Sequence, residues 1–123
     1  MHSPPHQRLT IIEDDASIRD SLSRLLTLEG FDVVAFVCAE NFLAQNNMTS
    51  TDLILCDVEM PGMDGFQLLR QLQDRNIHTP VILMSGRHNL DNKQTLALGA
   101  SAFISKPFLV KDLLANIRAH IAG

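Results

Sequence analysis

Five short apolar runs, Leu9–Ile12, Val33–Val37, Leu53–Cys56, Val81–Met84 and Ala102–Ile104, recur along the chain, and a stretch with helical spacing follows each. Runs this short, bounded by turn residues and charges, read as buried strands, since helices need more length. After the first, Ile18, Leu22, Leu25 and Leu26 keep one face until Gly30, with Arg19, Asp20 and Arg24 turned to water. Ala39 to Gln45 carries Phe42 and Leu43 on a short helix before the polar loop from Asn46 to Thr51. Phe66, Leu69 and Leu72 mark a third helix capped by Asp64, and a fourth runs from about Asn89 to Leu98 and stops at Gly99. Val110, Leu113, Leu114, Ile117 and Ile121 give the clearest amphipathic pattern.

Strands that are apolar throughout and alternate with helices imply a parallel sheet covered on both faces by right-handed crossovers. For five strands of this length the flavodoxin-like order 2-1-3-4-5 is favoured, a doubly wound (βα)5 fold of the α/β class. At 123 residues the chain makes one domain, long enough to bury roughly two-thirds of its unfolded surface without staples. Residues 1–7, with Pro4-Pro5, have the composition of a disordered tail, which leaves 8–123 as the domain.

A net charge of −4 without a Lys/Arg cluster argues against direct nucleic-acid binding. The longest apolar stretches fall far below the roughly 20 residues of a membrane helix. No signal pattern opens the chain, so no membrane partner and a cytoplasmic location are expected. Cys38 and Cys56 lie in apolar runs and read as small buried hydrophobes. His2, His6, His78, His88 and His120 are scattered without ligand spacing and read as solvated. No G-x-G-x-x-G or Walker-type loop follows the first strand.

Ligands of open parallel sheets bind outside the carboxyl ends of the strands, and there the chain places its chemistry. Glu13-Asp14-Asp15 follows the first strand, Asp57 ends the third, Ser85 follows the fourth, and Lys106-Pro107 lies just past the fifth. Strand order 2-1-3 sets Glu13, Asp14 and Asp57 in one pocket. Carboxylates so close persist only with a cation or with raised pKa values, and hard oxygen donors in a partly open site suit Mg²⁺. A nucleophilic carboxylate, a divalent metal, a hydroxyl and an ammonium are what phosphoryl transfer onto an aspartate needs. Singly, each residue has a plainer reading. Asp14 or Asp15 can be a helix cap, Ser85-Gly86 a turn, and Lys106 a solvated charge, although Pro107 keeps that lysine out of a helix and allows a cis bond. Asp64 reads as a cap alone, and Phe103 as core.

Four motifs, Ile-Ile-Glu-Asp-Asp (11 to 15), Asp-Val-Glu-Met-Pro-Gly-Met-Asp-Gly (57 to 65), Met-Ser-Gly (84 to 86) and Gly-Ala-Ser-Ala-Phe-Ile-Ser-Lys-Pro-Phe (99 to 108), carry a resemblance. From Leu9 to the last helix the chain resembles a receiver domain of the bacterial response-regulator family. The resemblance implies a phosphoacceptor of a two-component phosphorelay that assists its own phosphorylation and dephosphorylation, and no enzyme with a separate substrate. Asp57 accepts the phosphoryl group from a histidine kinase or phosphotransfer protein. Asp14 and Asp57 ligate Mg²⁺ with the backbone carbonyl of Glu59, Glu13 helps through water, and Ser85 and Lys106 hold the phosphoryl oxygens. Phe103 stands at the switch-aromatic position. The output is an effector domain or a homodimer, contacted through helix four, strand five and helix five. The segment before Phe103 lacks the acidic pair of many winged-helix regulators and is closer to receivers joined to LuxR-type outputs. Glu59 and Arg87 flank the site and are expected to pair across its mouth. The alternative is a small aspartyl-phosphate phosphatase of haloacid-dehalogenase type, whose general acid would have to be Glu59.

Overall fold

A computed structural model describes residues 7–45, 50–87 and 90–121. The elements run β1 (Arg8–Ile12), α1 (Ala16–Leu28), β2 (Asp32–Phe36), α2 (Ala39–Leu43), β3 (Leu53–Asp57), α3 (Gly65–Asp74), β4 (Val81–Ser85), α4 (Asn92–Ala97), β5 (Ala102–Ser105) and α5 (Val110–His120). All strand pairs are parallel, in the order β2-β1-β3-β4-β5. The expected flavodoxin-like α/β fold is the observed one.

Side chains alternate across a strand, so continuous apolar runs must find a partner on each face of the sheet. Leu9, Ile11, Leu53, Leu55, Ile82 and Met84 pack with Leu22 and Leu26 of α1 and Leu113, Leu114 and Ile117 of α5. The intervening residues Ile12, Ile54, Cys56, Val81 and Leu83 pack with Phe42 of α2 and Leu68, Leu69 and Leu72 of α3. Every position of β3 and β4 is buried. Burying one Leu or Ile side chain contributes about 1.5–3 kcal/mol, so the two central strands anchor the residues at their ends.

Several expectations need correction. β2 is an edge strand with Asp32, Val34 and Ala35 exposed, because the order leaves it only one neighbour. Its second row of contacts is limited to Val33 on one face and Phe36 on the other, where the Phe36 ring meets Phe42 edge-on at 5.5 Å. The fourth helix begins at Asn92, since the Asp91 carboxylate accepts from Lys93 N–H and fixes the start there. Asn89 lies outside the described residues, as do 46–49 of the polar loop. Cys38 precedes α2 and is partly exposed, whereas Cys56 is fully buried. Gln7 directly precedes β1, and its carbonyl accepts from Asp32 N–H at 3.0 Å. The rest of the expected tail, 1–6, lies outside the described residues, with His2, His6 and His88.

Local signals explain the other boundaries. Asp15 caps α1 by accepting from Ile18 N–H at 3.0 Å. Asp64 and Gln67 form a reciprocal capping box at α3. Inward residues of α3 are Leu68, Leu69 and Leu72, with Phe66 only partly covered. In α5, Leu113, Leu114 and Ile117 are buried, while Val110 at its start is exposed. No helix among the described residues is long and apolar enough to cross a membrane.

Candidate functional site

Register gathers the chemistry at one edge of the sheet. Ile12 pairs with Cys56, so Glu13 follows β1 beside Asp57 at the end of β3. Asp57 pairs with Met84, which puts Ser85 next, and Ser85 pairs with Ser105, which puts Lys106 next. The backbone ladder continues past the strands through Val58 N–H to the Met84 carbonyl at 2.8 Å and Lys106 N–H to the Ser85 carbonyl at 2.7 Å. The Lys106–Pro107 peptide bond is cis.

Within this edge Glu13 and Asp57 are buried and Asp14 is exposed, and one carboxylate oxygen from each lies within 4.8 Å of the others. Lys106 Nζ donates to Glu13 Oε1 at 2.8 Å and to Asp57 Oδ2 at 3.0 Å. Asp57 Oδ1 accepts from Glu59 N–H at 3.1 Å, and Glu13 Oε2 accepts from Asp15 N–H at 3.3 Å. One ammonium thus serves two buried acids. Burial and the neighbouring Asp57 charge push the Glu13 carboxyl up to about 7, against the opposing pull of Lys106. Burial works to lower the Lys106 pKa, but the hydrogen bonds to Glu13 and Asp57 outweigh it and the net shift is upward. Burial, with Asp57 and Glu13 behind it, also pushes the Cys56 thiol up, which makes Cys56 a packing residue and no nucleophile.

Ser85 is fully buried, and its hydroxyl donates to the Glu59 carboxylate, with both oxygens 2.7 Å from Oγ. Oγ in turn accepts from Arg87 N–H at 3.0 Å. The expected Glu59–Arg87 ion pair is therefore absent among the described residues. A buried hydroxyl needs an acceptor, and the Glu59 carboxylate provides it, while the exposed Arg87 guanidinium gains little over water from pairing. Phe103 sits in β5, partly buried against the core on the α3 side.

Three contacts escape a reading by periodicity. Arg19, expected in water, reaches back so that Nη1 donates to the Glu13 carbonyl at 2.8 Å and the Asp14 carbonyl at 3.4 Å, pinning the acidic loop to α1. Glu40 Oε2 accepts from Met63 N–H at 3.2 Å, tying α2 to the turn beyond Asp57. Gly65 packs on the end of β3, where an added Cβ would lie 3.0 Å from the Asp57 carbonyl oxygen, the Val58 Cα and Leu83 Cδ2. Only the Gly65 contact has a sequence signal, its glycine directly after a helix cap.

The arrangement offers a buried carboxylate held by a backbone N–H and an ammonium, an acidic group able to hold a hard cation, and a hydroxyl one strand away. Over most of its length the chain is similar to known proteins. The family model "Response regulator receiver domain" matches residues 9–118. The "Cell cycle transcriptional regulator CtrA" of Caulobacter vibrioides is 34% identical over 115 residues, covering 93% of this chain and 50% of that protein. The "Cell cycle response regulator CtrA" of Brucella ovis is 33% identical over the same coverage. The chain thus spans about half the length of these curated relatives. Among solved structures, FixJ-N superposes with a TM-score of 0.84 at 30% identity, covering 100% of this chain and 99% of its own. A CheY-like receiver domain protein from Methanospirillum hungatei superposes with a TM-score of 0.83 at 32% identity, covering 93% and 92%. With the family model matching residues 9–118 and the same fold and strand order, the chain belongs to the response regulator receiver domains of two-component signalling.

Proposed function

We propose that Asp57 is the phosphoacceptor of this receiver, taking its phosphoryl group from a histidine kinase or phosphotransfer protein with Mg²⁺ bound at the acidic edge. The observation that carries the reading is the convergence of Glu13, Asp14 and Asp57 within 4.8 Å, with Lys106 on two of them. The donor set fits a hard divalent cation, because an excess of carboxylates remains after Lys106 is counted. Asp14, Asp57 and the backbone carbonyl of Glu59 would hold the ion, with Glu13 acting through water. When bound, Mg²⁺ supplies positive charge for the phosphoryl oxygens.

The chain's own residues do the rest. Glu59 N–H and Lys106 fix the Asp57 carboxylate from both sides, so little reorientation precedes attack. A carboxylate oxygen forms the new O–P bond as the P–N bond to the donor imidazole breaks, and the freed nitrogen takes a proton from solvent. Lys106 and Ser85 then hold phosphoryl oxygens, and Phe103 follows Ser85 into the space it leaves. A groove of about 250 Å³ between α1 and the start of α5, lined by Ser17, Ile18, Leu22, Leu25, Phe108 and Val110, supports docking of the donor beside the site. On the other side, exposed Leu96 and Leu98 with half-buried Phe103 support an output face of α4, β5 and α5 for an effector domain or a second copy.

Incubation with acetyl phosphate and Mg²⁺, followed by intact mass and free-phosphate measurement, tests the reading. One phosphoryl adduct is expected on the wild type and none on Asp57→Asn, with Asp14→Asn mainly weakening the Mg²⁺ requirement curve. An adduct of normal yield on Asp57→Asn would overturn it, and sustained phosphate release from many small esters would point to a phosphatase.

A further inference from the structure

We infer that the Glu59 side chain is a positioning residue that withholds the Ser85 hydroxyl from the phosphoryl group, so that the two acceptors compete for one proton. The inference rests on Asp57 as the phosphoacceptor and assigns the Glu59 carboxylate a part separate from its backbone.

A serine hydroxyl has one proton to donate and two lone pairs to accept with. In this structure the proton is committed to Glu59, both of whose oxygens stand 2.7 Å from Oγ. One lone pair is committed to Arg87 N–H at 3.0 Å. Ser85 has no exposed surface in this arrangement, so its hydroxyl is satisfied by protein groups alone. For Ser85 to donate to a phosphoryl oxygen on Asp57, the bond to Glu59 has to break. Both bonds are charge-assisted, and the exchange is therefore close to balanced.

The phosphoryl group also changes the Glu59 side. It brings negative charge to a residue two positions before Glu59, and like charges at this range repel. Glu59 is only partly buried and can swing to solvent, whereas Ser85 is fixed in the last position of β4. The displaced group is thus the carboxylate, and the hydroxyl turns on its own Cα–Cβ bond. Glu59 sets how readily the unphosphorylated arrangement gives way.

Two effects of Glu59 are separable. Charge repulsion toward the phosphoryl group does not need Ser85, whereas competition for the hydroxyl does. The test is a double-mutant cycle on the affinity for beryllofluoride, an acyl-phosphate mimic, measured by calorimetry with Mg²⁺ in excess. Glu59→Ala is expected to tighten binding about tenfold in the wild-type background and by no more than about twofold in the Ser85→Ala background. Glu59→Gln, which keeps a neutral acceptor, should fall between the wild type and Glu59→Ala. Equal changes in the two backgrounds would reduce Glu59 to a repelling charge and overturn the competition, as would no change in either. Asp57→Asn serves as the control that separates the layers. Beryllofluoride binding that survives Asp57→Asn unaltered would remove the phosphoacceptor reading and this inference together, whereas its loss leaves the cycle to decide the Glu59 question alone.

Discussion

Glu13 is a buried acid whose pKa is raised to about 7. Its folded value of about 7 stands above the ordinary 4.5 because burial and Asp57 disfavour its charge. Between those two values the folded state holds a proton that the unfolded chain has released, so stability falls as pH rises through the window. The Glu13 contribution is full below about pH 4.5 and is lost by about pH 7. Urea unfolding of the wild type and Glu13→Gln without divalent ions should therefore give a difference that changes across this window. A flat difference would remove Glu13 as its source. Because a cation favours the ionised form, Mg²⁺ should raise the melting temperature more at about pH 8 than at about pH 5.5. At this scale the sequence reveals the acids, since strand ends can be counted, but not their partners. Arg19 and Glu59 have side chains long enough to reach several neighbours, and the choice is made by which buried group lacks a partner.

At the scale of elements, α3 begins against the strand that carries Asp57. Gly65 N–H donates to the Val58 carbonyl at 3.1 Å, and its Cα faces the Asp57 backbone so closely that a methyl would press on it at 3.0 Å. Gly65→Ala should cost about 1–3 kcal/mol in urea unfolding, by forcing the helix off the strand. It should also slow acetyl-phosphate labelling of Asp57, because the displaced backbone is the one that presents the carboxylate. Unchanged stability together with unchanged labelling would show that the helix adjusts freely. Helices and strands were legible here through periodicity and caps, as Asp15, Asp64 and the apolar runs show. Exposure is legible only through the order: taken alone, Val33 to Phe36 reads like any central strand, and the expected order is what places it at an edge.

At the scale of the whole molecule, the acidic site and β5 lie along one sheet edge. Ser85 lies at the end of β4 and Phe103 lies on the neighbouring β5, which carries α4 on one side. Amide exchange over residues 87 and 90–108 should become slower when beryllofluoride and Mg²⁺ are bound, and Ser85→Ala should blunt that change. Identical protection in the two states would send the search for an output to α1. The strand order was legible because five alternating units of this length favour one arrangement, and the order in turn made the pocket of Glu13, Asp14 and Asp57 foreseeable. The ion pair that closes this pocket joins residues 93 positions apart. Since chains are made from the amino end, the acids leave the ribosome long before the lysine that neutralises them. A chain made only as far as β5 brings these acids together without the ammonium that bridges two of them, so the closing of its site waits on residues that come later.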